Sequence, residues 1–145
     1  MRRILAAVDR TSMAKAVVRQ ALLLAERFDG EVIVVHVFHE ARLRSFLEVL
    51  DSTATYELYE IANRAEGVAE RAAQPLKERG ISHRIIGKVG APSREIIQLT
   101  QSLKPDLLVI GFEGLHGPQR IHTLGSVARK VIEKVACPVL LVHKA

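Results

Sequence analysis

The sequence predicts an α/β protein built on an open, parallel β-sheet with helices on both faces. Short apolar runs rich in Val, Ile and Leu alternate with longer segments whose apolar residues recur at helical spacing. Strands separated by amphipathic helices imply parallel strands joined by right-handed crossovers. The length suits a single domain over residues 1–145, and neither an internal repeat nor a linker-like composition divides it.

The first strand is predicted over residues 3–8, a short apolar run that ends at Asp9. Thr11 or Ser12 is expected to cap the helix that follows. The apolar stripe of this helix runs to Phe28. Gly30 is expected to close the helix in the left-handed conformation.

The second strand is predicted over residues 31–38, a β-branched run typical of a strand covered on both faces. Residues 39–52 fit a loop or a helix, and both stay open. One helix is then expected up to Gly80, with Pro75 distorting its last turns. Its apolar face comprises Leu58, Ile61, Ala62, Ala65, Ala69, Ala72 and Leu76.

The third strand, residues 81–88, is less apolar and is therefore expected near an edge of the sheet. Pro92 begins the third helix and Pro105 ends it. The fourth strand covers residues 106–110, and the fifth, residues 138–142, is also expected at an edge.

Composition narrows the class of protein. The net charge of +5 favours anionic partners, but the basic residues are scattered and aromatics are only 4%, which disfavours nucleic acid. No apolar run reaches the roughly 20 residues of a membrane span, and no signal peptide is recognisable. The single cysteine, Cys137, fits a reducing compartment. A soluble, cytoplasmic protein is expected.

The segment between the fourth strand and the fourth helix is rich in glycine. Gly111, Gly114, Gly117 and Gly125 let the backbone turn sharply or approach a ligand closely. The helix that starts at Ser126 directs free N–H groups to the same place. A phosphate cradle and a simple chain reversal both fit this pattern. It is neither a P-loop nor the dinucleotide G-x-G-x-x-G motif.

Six ordered motifs lie at strand or helix ends with fitting separations. They are residues 4–9, His36-Val37, Gly90-Ala91-Pro92, residues 106–111, Gly125-Ser126-Val127 and residues 136–142. Through these motifs the chain resembles the universal stress protein family along essentially its whole length. The resemblance implies a Rossmann-like (adenine nucleotide alpha hydrolase-like) sheet of order 3-2-1-4-5 with four helices.

One branch of that family binds ATP through Gly-x2-Gly-x9-Gly-Ser/Thr. The resemblance implies that four residues here hold the phosphates and ribose: Gly111, Gly114, Gly125 and Ser126. It places five more around the adenosine: Asp9 and Val37, with Ala7, Ile110 and Val127 as neighbours.

The chain departs from that motif at two points. Ten residues separate Gly114 from Gly125 where the motif has nine. Phe112 and Glu113 fill the slot between the first two glycines, and the carboxylate of Glu113 would repel a triphosphate unless a cation such as Mg²⁺ bridged them.

Two functions follow. The first is an ATP-binding stress-response protein whose partner choice depends on nucleotide. The second is a dimeric interaction module of the same family that binds no ATP and acts on an unknown protein partner. The resemblance implies a homodimer formed by antiparallel pairing of residues 138–142, although the tail after residue 142 offers an alternative cover for that edge.

A third function, nucleotide hydrolysis, has less support. No catalytic residue or arginine finger is recognisable, so any ATP hydrolysis would be weak. His36 and His39 tend to opposite faces of their strand, and no metal site is expected. Asp9 fits a ligand contact, a base or a cap, while Cys137 fits a buried small side chain better than a reactive thiol.

Overall fold

The computed structural model describes residues 1–39, 41, 54–113 and 124–144. In these ranges the strands are β1 (Arg3–Ala7), β2 (Glu31–His39), β3 (His83–Gly90), β4 (Leu107–Gly111) and β5 (Val139–Val142). The helices are α1 (Met13–Phe28), α2 (Ala54–Ala72), α3 (Gln74–Glu78), α4 (Pro92–Leu103) and α5 (Ser126–Lys134).

The five strands form one sheet of order β3-β2-β1-β4-β5, and every neighbouring pair is parallel. This confirms the predicted fold class and places β3 and β5 at the two edges, as expected. At the carboxyl end of β1, Ala7 lies beside Val35 on one side and Ile110 on the other. The chain leaves β1 for β2 and later crosses back to β4, so the strand order reverses at β1.

Each face of the sheet is covered by its own apolar layer. Ile4 and Ala6 of β1 pack with α1, α2 and α3, whereas Leu5 and Ala7 pack with α4 and α5. Alternation of this kind follows from the two-residue period of a strand. Both layers are buried, which explains why the strands read as continuous apolar runs. Among the described residues, no helix is long and apolar enough to cross a membrane.

The helix predicted up to Gly80 is in fact two helices, and the break falls just before Pro75. α2 ends at Ala72, and Pro75 is the second residue of α3. Proline has no N–H to donate, and its ring would collide with the carbonyl of the residue four positions earlier. Leu76 is nevertheless fully buried, so the apolar stripe continues across the break.

The predicted left-handed cap at Gly30 is wrong by one residue. Asp29 takes that conformation, with φ 54°, and Asp is among the few residues that tolerate it. Gly30 serves a different purpose, because an added Cβ would lie 3.2 Å from the carbonyl oxygen of Met1. Gly80 does have a positive φ, of 66°, two residues after the end of α3.

Strand β3 lies two residues later than the predicted span of 81–88. It pairs with β2 along its whole length, up to the pair formed by His39 and Gly90. The sheet ladder, rather than the local apolar pattern, therefore sets its end. The segment left open between loop and helix falls mainly outside the described residues.

Candidate functional site

A cavity of about 310 Å³ opens at the carboxyl ends of β1, β2 and β4, beside the first turn of α5. This is the point at which the strand order reverses, where open α/β sheets bind their ligands. The volume is at the lower end of the range typical of small-molecule sites. The cavity extends to both faces of the sheet, because Met13 and Val17 of α1 line it together with Pro92 and Ile96 of α4.

The structure brings together eight of the nine contact residues predicted from the sequence. The ninth, Gly114, lies outside the described residues. The eight that line the cavity are Ala7, Asp9, Val37, Ile110, Gly111, Gly125, Ser126 and Val127.

Asp9 uses one carboxylate oxygen to start α1. Its Oδ1 accepts the Thr11 N–H at 2.9 Å and the Thr11 hydroxyl. The Thr11 Oγ1 in turn accepts the N–H of Met13 at 3.2 Å, whereas Ser12 makes no side-chain cap bond. Among the two expected caps, Thr11 is therefore the one that acts. The other oxygen of Asp9 has no partner in the described part of the chain and remains available to a ligand.

His36 is a cavity residue that sequence reasoning did not include in the site. It is 5% exposed, and its Nδ1 lies 2.8 Å from the carbonyl oxygen of Val8. A carbonyl can only accept, so Nδ1 carries the hydrogen and Nε2 is left as an acceptor. The pKa of His36 is lowered, mainly because burial disfavours the charged ring. The hydrogen bond to Val8 acts in the opposite direction. Of the nearby charges, Arg10 lowers the pKa and Asp9 raises it. The signal in the sequence was a polar residue within an otherwise apolar strand, three residues before its end.

The two ends of the glycine segment are held together at the top of β4. The Phe112 N–H donates to Val142 at 2.8 Å, and the Phe112 carbonyl accepts the N–H of Gly125, also at 2.8 Å. The Phe112 ring stacks on His143 with centroids 4.2 Å apart. This closure joins residues 112 and 125 directly, at the two ends of the segment whose spacing departs from the family motif.

At Gly111, close packing rather than φ disfavours a larger residue. An added Cβ would lie 3.2 Å from the terminal methyl of Met13 and 3.3 Å from the carbonyl oxygen of Glu113. The chain therefore folds back tightly over the end of β4. This turn places Glu113 in the wall of the same cavity as Gly125 and Ser126.

The first turn of α5 supplies hydrogen-bond donors to the cavity. Gly125 precedes the helix and Ser126 is its first residue. The first intrahelical bond runs from the N–H of Arg129 to Gly125, so the N–H groups of the residues before it have no helical acceptor. Together with the positive end of the helix dipole, they favour an anion at this place.

Charged groups in the described cavity wall are few. Asp9 and Glu113 carry carboxylates, and Arg10 is the one lysine or arginine among the described lining residues. In the same ranges, no three His, Cys, Asp or Glu side chains are grouped so as to hold a metal ion. Away from the cavity, Cys137 is half-buried against the α4–α5 layer, and burial raises the pKa of its thiol.

Comparison with known proteins places this chain in a family. The sequence model of the universal stress protein family matches residues 1–143. The chain is 30% identical to the universal stress protein YxiE of Bacillus subtilis over 146 aligned residues, covering 97% of this chain and 98% of YxiE. The chain therefore belongs to the universal stress protein family.

Solved structures share the fold. MJ0577 of Methanocaldococcus jannaschii superposes with a TM-score of 0.76 at 26% identity, over 99% of this chain and 96% of that protein. A universal stress protein in complex with cAMP gives 0.66 at 22% identity, over 99% of this chain and 98% of that one. An Arabidopsis thaliana family member with AMP bound superposes with a TM-score of 0.63 at 18% identity, over 100% of this chain and 93% of that one.

Proposed function

We propose that this universal stress protein binds an adenine nucleotide, ATP with Mg²⁺ among them, in the cavity at the carboxyl end of the sheet. The observation that carries the proposal is the convergence on one cavity of contact residues from four separate elements. Asp9 follows β1, Val37 lies near the end of β2, Gly111 ends β4 and Ser126 begins α5. The bound protein would act in the stress response through nucleotide-dependent or dimer-mediated interactions.

The chemistry of the wall matches the parts of a nucleotide. The N–H groups at the start of α5 suit a phosphate. The free oxygen of Asp9 and the Nε2 of His36 are acceptors for hydroxyl or amino groups of the nucleoside. Val37 and Ile110 supply apolar surface for a base. AMP and cAMP in two proteins of the same fold support this choice of ligand. The proposal assigns no catalytic residue.

Substitution of Ser126 by Asp tests the phosphate end. A carboxylate in the first turn stabilises a helix but repels a phosphate bound there. We expect Ser126→Asp to weaken Mg²⁺–ATP and AMP binding at least about tenfold in calorimetry while the melting temperature is kept or raised. Ser93→Asp is the matched control, because Ser93 lies in the first turn of α4 and does not line the cavity.

Two results would contradict the proposal. One is wild-type protein that shows neither binding heat nor thermal stabilisation with millimolar ATP, AMP or cAMP. The other is equal loss of affinity in Ser126→Asp and Ser93→Asp, which would locate binding elsewhere.

We further propose that the chain forms a homodimer by antiparallel pairing of residues 138–142. β5 is an edge strand, and its Val139, Leu140 and Leu141 are only half-buried within one chain. An apolar edge of this kind is a template for pairing with another strand.

We also propose a cytoplasmic location, which is supported by the single cysteine, Cys137, because a reducing compartment suits a chain without an internal disulfide.

A further inference from the structure

Glu113 places a negative charge beside the position proposed for a ligand phosphate. It lines the cavity with Gly125 and Ser126, and it is half-buried. In the described part of the chain, its carboxylate makes no hydrogen bond and no ion pair. A carboxylate that the fold holds in a binding cavity without a partner acts on whatever charge enters that cavity.

The position of Glu113 is determined by its neighbours in the chain. Phe112 is held on three sides, by Val142, by Gly125 and by the ring of His143. The carbonyl oxygen of Glu113 also packs close to Gly111. The backbone at residue 113 is therefore anchored next to the first turn of α5, which places Glu113 in the cavity wall.

Cations of the described cavity wall do not offset this charge. Arg10 is the one lysine or arginine in the described wall; it is exposed, and it shares the wall with Asp9 as well as Glu113. A ligand phosphate at the start of α5 thus meets attraction from the helix terminus and repulsion from Glu113. The attraction acts mainly on the phosphate nearest the helix, whereas the repulsion grows with each added negative charge.

Resting on the proposed nucleotide binding, we infer that Glu113 determines which ligand charge this site accepts. It favours adenosine and adenine nucleotides with one phosphate, as a monoester or cyclic diester, over metal-free ATP. It also makes ATP binding dependent on a divalent cation. Mg²⁺ is commonly held by one or two carboxylates together with substrate phosphates, so the cation converts the repulsion into a bridge.

A charge series of ligands tests the inference. The affinities of adenosine, AMP, ADP and ATP are measured by calorimetry without divalent cation, for the wild type and for Glu113→Gln. We expect Glu113→Gln to leave adenosine within about twofold, to tighten AMP about threefold and to tighten metal-free ATP about tenfold. With Mg²⁺ present, the ATP affinity of the variant should gain less than that of the wild type.

Two further variants separate charge from shape. Glu113→Asp keeps the charge and should keep the wild-type dependence on phosphate number, while Glu113→Lys should reverse it. Glu70→Gln is the control for net charge, because Glu70 is exposed on α2 and does not line the cavity. High salt should shrink the difference between the wild type and Glu113→Gln, since screening weakens charge repulsion and leaves packing unchanged.

The outcomes separate the two proposals. Normal adenosine binding, with the same dependence on phosphate number in the wild type and in Glu113→Gln, overturns the role of Glu113 and leaves nucleotide binding intact. Absence of binding for every ligand, in both proteins and with or without Mg²⁺, overturns the proposed function and this inference with it.

Discussion

At the scale of single residues, His36 is the polar side chain in the apolar interior of β2. It is buried, donates through Nδ1 to Val8 and lines the cavity. Because burial lowers its pKa, the folded protein holds the neutral ring near pH 7. A neutral ring presents Nε2 as an acceptor, whereas a protonated ring would present a second donor. Burial of His36 therefore keeps a hydrogen-bond acceptor in the cavity and also makes the stability of the fold depend on pH.

The lowered pKa of His36 gives a prediction about acid stability. An unfolded histidine titrates near its ordinary pKa of about 6.5, so below that pH the unfolded chain binds a proton that the folded chain does not. Stability therefore falls as pH drops through about 6.5 and levels off below the folded pKa. His36→Asn, whose amide can still donate to Val8, should show a smaller loss of unfolding free energy between about pH 7.5 and about pH 5.5.

The measurement is urea denaturation of both proteins at the two pH values. The quantity compared is the difference between pH values within each protein, so a uniform destabilisation by the substitution does not matter. Equal differences in the two proteins would show that His36 does not account for this part of the pH dependence.

At the scale of elements, the contact between α2 and β3 depends on a residue without a side chain. A Cβ added to Gly87 of β3 would lie 2.3 Å from the backbone nitrogen of Glu66 in α2. Backbone atoms cannot move aside as the end of a flexible side chain can. Gly87 lies opposite His36 in the neighbouring strand, so this packing also supports the cavity wall.

Two glycine-to-alanine substitutions with opposite expected signs test this packing. Gly87→Ala should destabilise the protein by about 1–3 kcal/mol or more, because the helix must shift away from the sheet. Gly67→Ala should stabilise it by about 0.5–1 kcal/mol, because alanine is the better helix former. Gly67 lies within α2, and an added Cβ would make only an ordinary contact, 3.6 Å from the Arg71 side chain. Thermal or urea unfolding measures both changes, and destabilisation by Gly67→Ala would contradict the prediction.

At the scale of the whole molecule, β5 leaves one side of its backbone without a strand neighbour in the described sheet. Leu108 donates to the carbonyl of Pro138, and Phe112 donates to that of Val142. Alternate residues of a strand bond to opposite sides, so the main-chain groups of Val139 and Leu141 face the open edge. Those are the groups that a second copy would pair with.

The proposed dimer gives a prediction at that edge. Sedimentation velocity should show the mass of two chains for the wild type and of one chain for Leu141→Pro, which loses the outward N–H. Leu141→Ala is the matched control, since it loses similar packing but keeps that N–H, and it should remain a dimer. A monomeric wild type at micromolar concentration would contradict the proposal.

Much of the candidate site could be predicted from the sequence because its residues follow strand ends. Asp9, Val37 and Gly111 lie at or near the points where apolar runs stop, and the carboxyl ends of parallel strands meet at one edge of a sheet. Met13 and Ile96 could not be placed in the wall by the same reasoning. They read as ordinary apolar helix positions, and only the packing of α1 and α4 against the sheet brings them to the cavity.

The sequence by itself determined the fold class, the number of strands and the family, because hydrophobic periodicity and ordered motifs are local properties of the chain. The tertiary structure decided what depends on contacts between distant segments. It moved β3 by two residues through its ladder with β2, and it closed the glycine segment through the bond from Gly125 to Phe112. It also placed Glu113 in the cavity beside α5. Spacing in the sequence cannot reveal such placements, because they follow from hydrogen bonds and packing between residues far apart in the chain.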